Sequence, residues 1–314
     1  MKTYFFLSLF VFSLFGGPSI ATAESKPLKV ITTITELAWV ANEVGGDLVN
    51  AEPLLQGTEN PHFIDAVPSF IQKTAEADVV FIIGLDLEIG WMPKVLARSG
   101  NAKVQPGGIG YTEVGNSIEV LGKPVGNVDR SMGDVHPGGN PHFWLSPSAL
   151  SQVSTIILET LITNSPKNAE AFMANQKKFV AKMKALKEKN AAKLTAVKLK
   201  QPWLMEYHQE FTYLLQEYGL TSMGSVEEKP GVPPSAGRLA RVAIQAKAAG
   251  VKALLVADFA PRQTVERFAE LSGVTPAMVP TSIRQSGKFQ NYEELQNHII
   301  DSLIRAATGE KAAE

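Results

Sequence analysis

The segment LKVITTITELAWVANEVGGDLVNAEPLL, residues 28–55, decides the fold class. It opens with a β-branched run that favours a strand, continues with apolar residues at helical spacing up to two glycines, and ends in a second strand-like run. A further helix and a buried strand follow. The predicted elements are strands over 28–34, 48–55 and 79–84, and helices over 35–46 and 68–78. This alternation indicates an α/β domain with a largely parallel sheet.

A second alternating pattern fills the last third of the chain and predicts another α/β unit of similar size. Its predicted elements are strands over 202–208 and 251–258, and helices over 210–220, 235–250, 261–273 and from Tyr292 onward. We therefore expect two lobes, each a mostly parallel sheet flanked by helices. The expected bounds are 24–164 for the first lobe and 199–314 for the second.

Residues 165–198 separate the two patterns and predict one long linking helix. Ser165 can cap a helix and Pro166 suits its first position. Apolar side chains recur at three- and four-residue steps, at Phe172, Phe179, Met183, Leu186, Leu194 and Val197. About thirty residues at 1.5 Å rise give a rod of roughly 45 Å. Such a rod would join the lobes stiffly, although an ordinary surface helix with a core-facing stripe would show the same pattern.

The first 23 residues have the parts of a cleaved secretory signal. They contain Lys2, an apolar run from Tyr4 to Phe15, and a small-residue site ending at Ala23. A membrane anchor is the alternative, but the apolar run is shorter than the ~20 residues that span a bilayer. The chain has no cysteine, hence no disulfide and no site for lipid attachment. We expect an exported, soluble protein, most simply in a bacterial periplasm.

The overall charge argues against nucleic acid as a partner. The 314 residues carry a formal net charge of −1, and basic and acidic residues are interspersed along the chain. No basic face for a phosphate backbone is therefore indicated.

Three of the five histidines share one sequence context. His62, His142 and His208 each lie at a predicted strand end or in a loop that precedes a helix. Ligands bind at the carboxyl ends of strands in open α/β sheets. The tripeptide Asn-Pro-His occurs twice, at 60–62 and 140–142, and its proline restricts the backbone beside the imidazole. Because neutral imidazole is the commonest metal-ligating side chain, the pattern predicts a shared metal site.

The histidine-containing segments, with the rest of the mature chain, resemble the substrate-binding proteins of zinc and manganese ABC importers. The resemblance rests on GTENPHFIDAVPSF, NPHFWLSPSAL, EYHQEFTYLLQEYGL and KPGVPPSAGRLARVAIQAKAAGVKALLVAD. It implies two lobes joined by a rigid helix, with a metal ion held between them and delivered to a membrane permease. It also implies that His62, His142 and His208 are the metal ligands. We expect the protein to act as a monomer.

The fourth ligand is where the sequence departs from the family pattern. Thr281 stands where family members often have an aspartate. Water could complete the coordination, or one of four auxiliary candidates could serve: Asp258, Glu206, Glu59 and His136. His136 lies in a Gly-rich loop, where it is either an auxiliary metal-capturing residue on a mobile segment or an incidental surface histidine.

The ligand types favour Zn²⁺ over Mn²⁺, because Mn²⁺ prefers more oxygen donors than three imidazoles supply. A zinc hydrolase is the alternative class, with Glu206 or Glu210 as a general base. Against it, no H-E-x-x-H, G-x-S-x-G or P-loop motif occurs. An organic ligand is less favoured, because the candidate loops are rich in histidine rather than arginine. A zinc carrier without a permease stays open as well.

Overall fold

The computed structural model describes Met1 and residues 26–126, 128–133, 135–198 and 203–310. The predicted signal segment lies outside these ranges apart from its first residue. Within them, none of the helices has both the length and the apolar character needed to cross a membrane.

The first lobe is built on a four-stranded parallel sheet. Its strands are β1 (Leu28–Thr32), β2 (Val49–Pro53), β3 (Val79–Ile82) and β4 (Tyr111–Glu113), in the order β2-β1-β3-β4. Its helices are α1 (Thr35–Gly45), α2 (Pro68–Ala75), α3 (Met92–Ser99) and α4 (Pro147–Asn164). The central strands β1 and β3 are almost wholly buried, as expected of a parallel sheet covered on both faces.

The second lobe repeats this topology. Its strands are β5 (Leu204–Glu206), β6 (Ser222–Ser225), β7 (Ala253–Ala257) and β8 (Thr275–Val279), in the order β6-β5-β7-β8, all parallel. Its helices are α6 (Thr212–Glu217), α7 (Ala236–Ala249), α8 (Arg262–Ser272) and α9 (Tyr292–Thr308). The prediction of two parallel α/β lobes is confirmed. Strands β4, β6 and β8 and helix α3 escaped prediction. Strands β4 and β6 are short and lack a clear hydrophobic run, and β8 contains a proline, which argues against a strand in the sequence.

One long helix, α5 (Ala169–Ala196), connects the lobes, and its prediction is confirmed. Its 28 residues correspond to about 42 Å at 1.5 Å per residue. It begins after a 3-10 turn over Pro166–Asn168, and the Ser165 side chain does not cap it. The buried stripe includes Phe172 and Phe179, and the ring of Phe179 lies edge-on to Trp39 of α1. The helix contacts α1 and α4 of the first lobe and α9 of the second, so it braces both.

Buried hydrogen bonds fasten the lobes to each other on one side. The Trp144 Nε1 atom donates to the Thr281 carbonyl at 2.8 Å, and the Ile283 amide donates to Glu36 Oε1 at 2.6 Å. At Gly57 a Cβ would lie 1.9 Å from the Ile283 carbonyl oxygen, so this close approach requires glycine. The Tyr292 hydroxyl of α9 donates to the Trp144 carbonyl. The larger hydrophobic cluster contains residues of both lobes, and a second, smaller cluster lies within the second lobe. The domain bounds 24–164, 165–198 and 199–314 stay a prediction.

Candidate metal centre

Three histidines from both lobes converge on one point. His62 and His142 belong to the first lobe and His208 to the second, and one ligand nitrogen from each lies within 4.8 Å of the others. The Nε2 atoms of His62 and His142 are 3.0 Å apart. Two nitrogens on a tetrahedral zinc ion at ~2.0–2.1 Å stand about 3.3–3.4 Å apart. Small side-chain movements would therefore let all three rings coordinate a single cation.

The two Asn-Pro-His tripeptides fold into the same local turn. The His62 amide donates to Asn60 Oδ1 at 3.1 Å, and the His142 amide donates to Asn140 Oδ1 at 2.9 Å. Asparagine side chains form such turns with the backbone two residues on. The repeated tripeptide is thus a device that fixes the backbone beneath each imidazole.

The second turn also orients its ring. The Nδ1 atom of His142 lies 2.9 Å from the same Asn140 Oδ1, which already accepts the backbone amide. Because that oxygen is an acceptor, Nδ1 carries the proton and Nε2 presents its lone pair to the centre of the cluster. The Asn140 Nδ2 atom donates to the Gln209 carbonyl at 2.7 Å, next to His208. Asn140 therefore couples both lobes at the site.

A carboxylate orients the ring of His208 in the same way. Its Nδ1 atom lies 2.8 Å from Glu227 Oε2, which also accepts the Gly231 amide at 2.9 Å. The ring nitrogen left to face the cluster is Nε2. Sequence reasoning missed Glu227, because this residue follows the unpredicted strand β6 and lies 19 residues beyond its partner His208 in the chain. It missed Asn140 as a partner too, although the Asn-Pro-His repeat carried the signal.

The surroundings of His142 favour its uncharged imidazole. His142 is 4% exposed. Burial, reinforced by the neighbouring His62, His208 and His136, lowers the pKa of His142 well below its usual range. The ring is consequently neutral at neutral pH, which is the form that binds metal.

The auxiliary candidate His136 reaches the same cluster. Its ring centroid lies 5.1 Å from that of His62 and 6.4 Å from that of His142, and the residue is only 9% exposed. Four of the five histidines thus gather here. His136 is nevertheless not one of the three residues that form the close set of ligand atoms.

Two of the predicted acidic auxiliaries are engaged elsewhere. The Asp258 carboxylate pairs with the Arg284 guanidinium. Glu59 accepts from the amides of Gln56 and Thr58 and so closes its own loop. Neither belongs to the close set.

The last auxiliary candidate, Glu206, and the departure position Thr281 are also committed to the fold. Glu206 is buried and accepts the Phe211 amide at 3.1 Å, and burial raises its pKa to about 7. Thr281 is 6% exposed, and its carbonyl receives the Trp144 indole. The Thr281 segment therefore serves as a contact between the lobes.

Buried aromatic residues lie close to the site. Phe143, Trp144 and Tyr207 are each at most 3% exposed, and the Trp144 and His142 rings are 5.2 Å apart. Phe63 departs from this pattern, because 66% of it is exposed. Ser146 caps α4 by accepting the Ala149 amide, which fixes the chain just after His142.

Comparison with known proteins finds metal-binding relatives. The sequence model of the family described as zinc-uptake complex component A, periplasmic, matches residues 30–306. An iron ABC transporter substrate-binding lipoprotein of Streptococcus pyogenes is 27% identical, over 90% of this chain and 89% of that protein. A manganese-binding lipoprotein of Halalkalibacterium halodurans is 23% identical, over 92% of both chains. A zinc-binding lipoprotein of Streptococcus pneumoniae is 27% identical, over 75% of this chain and 47% of that one.

Solved structures show the same fold. A zinc-bound deletion mutant of ZnuA superposes with a TM-score of 0.74 at 21% identity, covering 90% of this chain and 98% of that one. The substrate-binding protein FpvC of Pseudomonas aeruginosa, in complex with Ni²⁺, gives a TM-score of 0.75 at 25% identity, covering 92% and 100%. The chain therefore belongs to the family of the periplasmic zinc-uptake complex component A and is a metal-binding substrate-binding protein of the ABC-transporter type.

Proposed function

We propose that this protein captures one Zn²⁺ ion in the periplasm and delivers it to the membrane permease of an ABC importer. His62, His142 and His208 are the ligands in this proposal, and the transported ion is their substrate. The observation that carries it is the convergence of three imidazoles from two lobes within 4.8 Å. The protein acts as a monomer after removal of residues 1–23, with no enzymatic step.

The choice of zinc rests on the donor atoms. Three imidazoles suit a borderline cation such as Zn²⁺, whereas Mn²⁺ sites contain more oxygen. The relatives carry names for iron, manganese and zinc, so relationship alone does not select the metal. Mn²⁺ is the second candidate, and the buried carboxylates near His208 favour it. No observation favours a hydrolase.

Metal titration tests the binding half of the proposal. Residues 24–314, stripped with a chelator, would be titrated with Zn²⁺ and Mn²⁺ in competition with a chromophoric chelator. We expect one tight zinc site that is weaker for manganese and absent from the triple variant His62→Ala, His142→Ala, His208→Ala. His298→Ala is the matched control, because this histidine lies on α9 against Phe289. A zinc affinity unchanged in the triple variant would contradict the ligand assignment.

Uptake tests the delivery half. Cells lacking the gene should import less ⁶⁵Zn at low external zinc, and the wild-type gene should restore import while the triple variant should not. Normal import without the gene would leave a periplasmic zinc buffer as the better description.

A further inference from the structure

Glu210 is a buried carboxylate beside the metal centre whose role the three-histidine set does not explain. The residue is 6% exposed. It lines a cavity of about 240 Å³ together with His62, His208 and Glu227. Among the described residues, no hydrogen-bond partner reaches its Oε2 atom.

The other buried carboxylates of this lobe are occupied. Glu227 Oε2 receives His208 Nδ1 and the Gly231 amide, and Glu206 receives the Phe211 amide. A buried acid without a donor costs folding free energy, since it gives up its hydration without compensation. Such a group at the wall of a ligand cavity points to a partner that arrives with the ligand.

A bound divalent cation would supply that partner. Neutral imidazoles leave its charge uncompensated, and a buried charge needs an opposite one nearby. A cation with three protein ligands commonly keeps a water molecule in the fourth position. The cavity is roomy enough for it, because one water occupies about 30 Å³. A carboxylate that accepts from metal-bound water forms a charge-assisted hydrogen bond.

We propose that Glu210 accepts a hydrogen bond from the water molecule that completes the cation's coordination, and thereby sets the affinity and metal preference of the site. The inference rests on the proposed function. Glu210 is a positioning residue here and not a direct ligand, since it lies outside the close set of ligand atoms. By accepting from the bound water, Glu210 makes the oxygen of that water a more negative donor, which supports Mn²⁺ binding more than Zn²⁺ binding.

The test is Glu210→Gln in the chelator-stripped chain. We expect zinc affinity to fall by about 10- to 100-fold, the size typical of a lost outer partner, and manganese affinity to fall further. The stoichiometry should stay at one. Glu206→Gln is the matched control, because this buried glutamate of the same segment is bonded to the backbone. We expect its zinc affinity to stay within about twofold of the wild type, since amide-for-acid exchange keeps an oxygen acceptor.

A second readout separates positioning from a merely structural role. The visible absorption bands of the Co²⁺-loaded protein report the coordination shell, so Glu210→Gln should shift them while Glu206→Gln should not. Glu210→Asp, which keeps the charge, should recover part of the lost affinity. Wild-type Co²⁺ bands in Glu210→Gln, or wild-type zinc and manganese affinities, would overturn the inference and leave the three-histidine site standing. A wild-type chain that binds no metal would instead overturn the proposed function and this inference with it.

Discussion

The two lobes contribute unlike halves to one site. The first lobe supplies imidazoles on proline-restricted turns, with Asn140 as the neutral group that orients His142. The second supplies His208, oriented by the carboxylate of Glu227, with Glu210 beside it. In the proposed function this difference gives ligand placement mainly to the first lobe and charge compensation to the second, although the two sheets have the same strand order.

The largest effect should come from a ligand of the first lobe. His142→Ala removes the most buried histidine of the close set and its 3.0 Å approach to His62. We expect zinc affinity to fall at least ~1,000-fold, or about 4 kcal/mol. Competition titration against a chelator measures it, with His298→Ala as the control. A loss below tenfold would mean that His142 does not bind the ion.

Buried acids of the two lobes should act on different properties: Glu88 of the first lobe on folding stability, and Glu210 of the second on metal affinity. Glu88 of the first lobe accepts the amides of Ile83 and Gly84, and burial raises its pKa to about 7 from 4.5. Between these pH values the folded chain holds a proton that the unfolded chain has released, so the free energy of unfolding falls as pH rises through this window. Protonation of Glu88 contributes about 3 kcal/mol to the free energy of unfolding at low pH, and this contribution is fully lost above pH 7.

Glu88→Gln should reduce the pH dependence in that window by the share of Glu88 and leave the shares of Glu36, Glu206 and Glu210, because burial raises the pKa of each of these to about 7 as well. Urea denaturation of the metal-free protein between pH 5 and 8 measures it. The zinc affinity of Glu88→Gln at pH 7.5 should match the wild type, in contrast to Glu210→Gln. An unchanged pH profile would show that Glu88 is ionised in the folded chain. A large loss of zinc affinity would show that Glu88 acts on metal binding as well as on stability.

The orienting groups of the two lobes can be compared directly. Asn140→Ala removes a neutral acceptor from His142 Nδ1, and Glu227→Ala removes a charged one from His208 Nδ1. Each should weaken zinc by about 10- to 100-fold. Glu227→Ala should be the more severe, because the acceptor that it removes also carries a negative charge near the cation. Asn60→Ala is the matched control for Asn140→Ala, since Asn60 bonds to the backbone amide of His62. Equal losses of zinc affinity in the two asparagine variants would show that the backbone turn, and not the hydrogen bond to the ring, supports metal binding.

The smallest effect should come from His136. It lies near the cluster but outside the close set, so His136→Ala should change zinc affinity by less than about tenfold, or ~1.4 kcal/mol. Titration alongside His142→Ala tests this ranking. Comparable losses in both variants would make His136 a fourth ligand.

The sequence predicts the fold better than it predicts the groups around the histidines. Hydrophobic periodicity identified the two lobes and the long helix, because each depends on local patterns of burial. The Asn-Pro-His repeat and the position of His208 at a strand end predicted that the three histidines form one site. Glu227, Glu210 and the contact of Thr281 with Trp144 depend on how separate segments pack, and local patterns do not encode that packing.

The central claim is that one cation bridges the two lobes through His62, His142 and His208. A crystal structure of the zinc-loaded chain, with anomalous diffraction data on both sides of the zinc edge, tests it most directly. The account predicts one strong anomalous peak about 2.0–2.1 Å from a ring nitrogen of each of the three histidines. A zinc ion coordinated by residues of one lobe alone, or by Asp258 or Glu59 in place of a histidine, would contradict it.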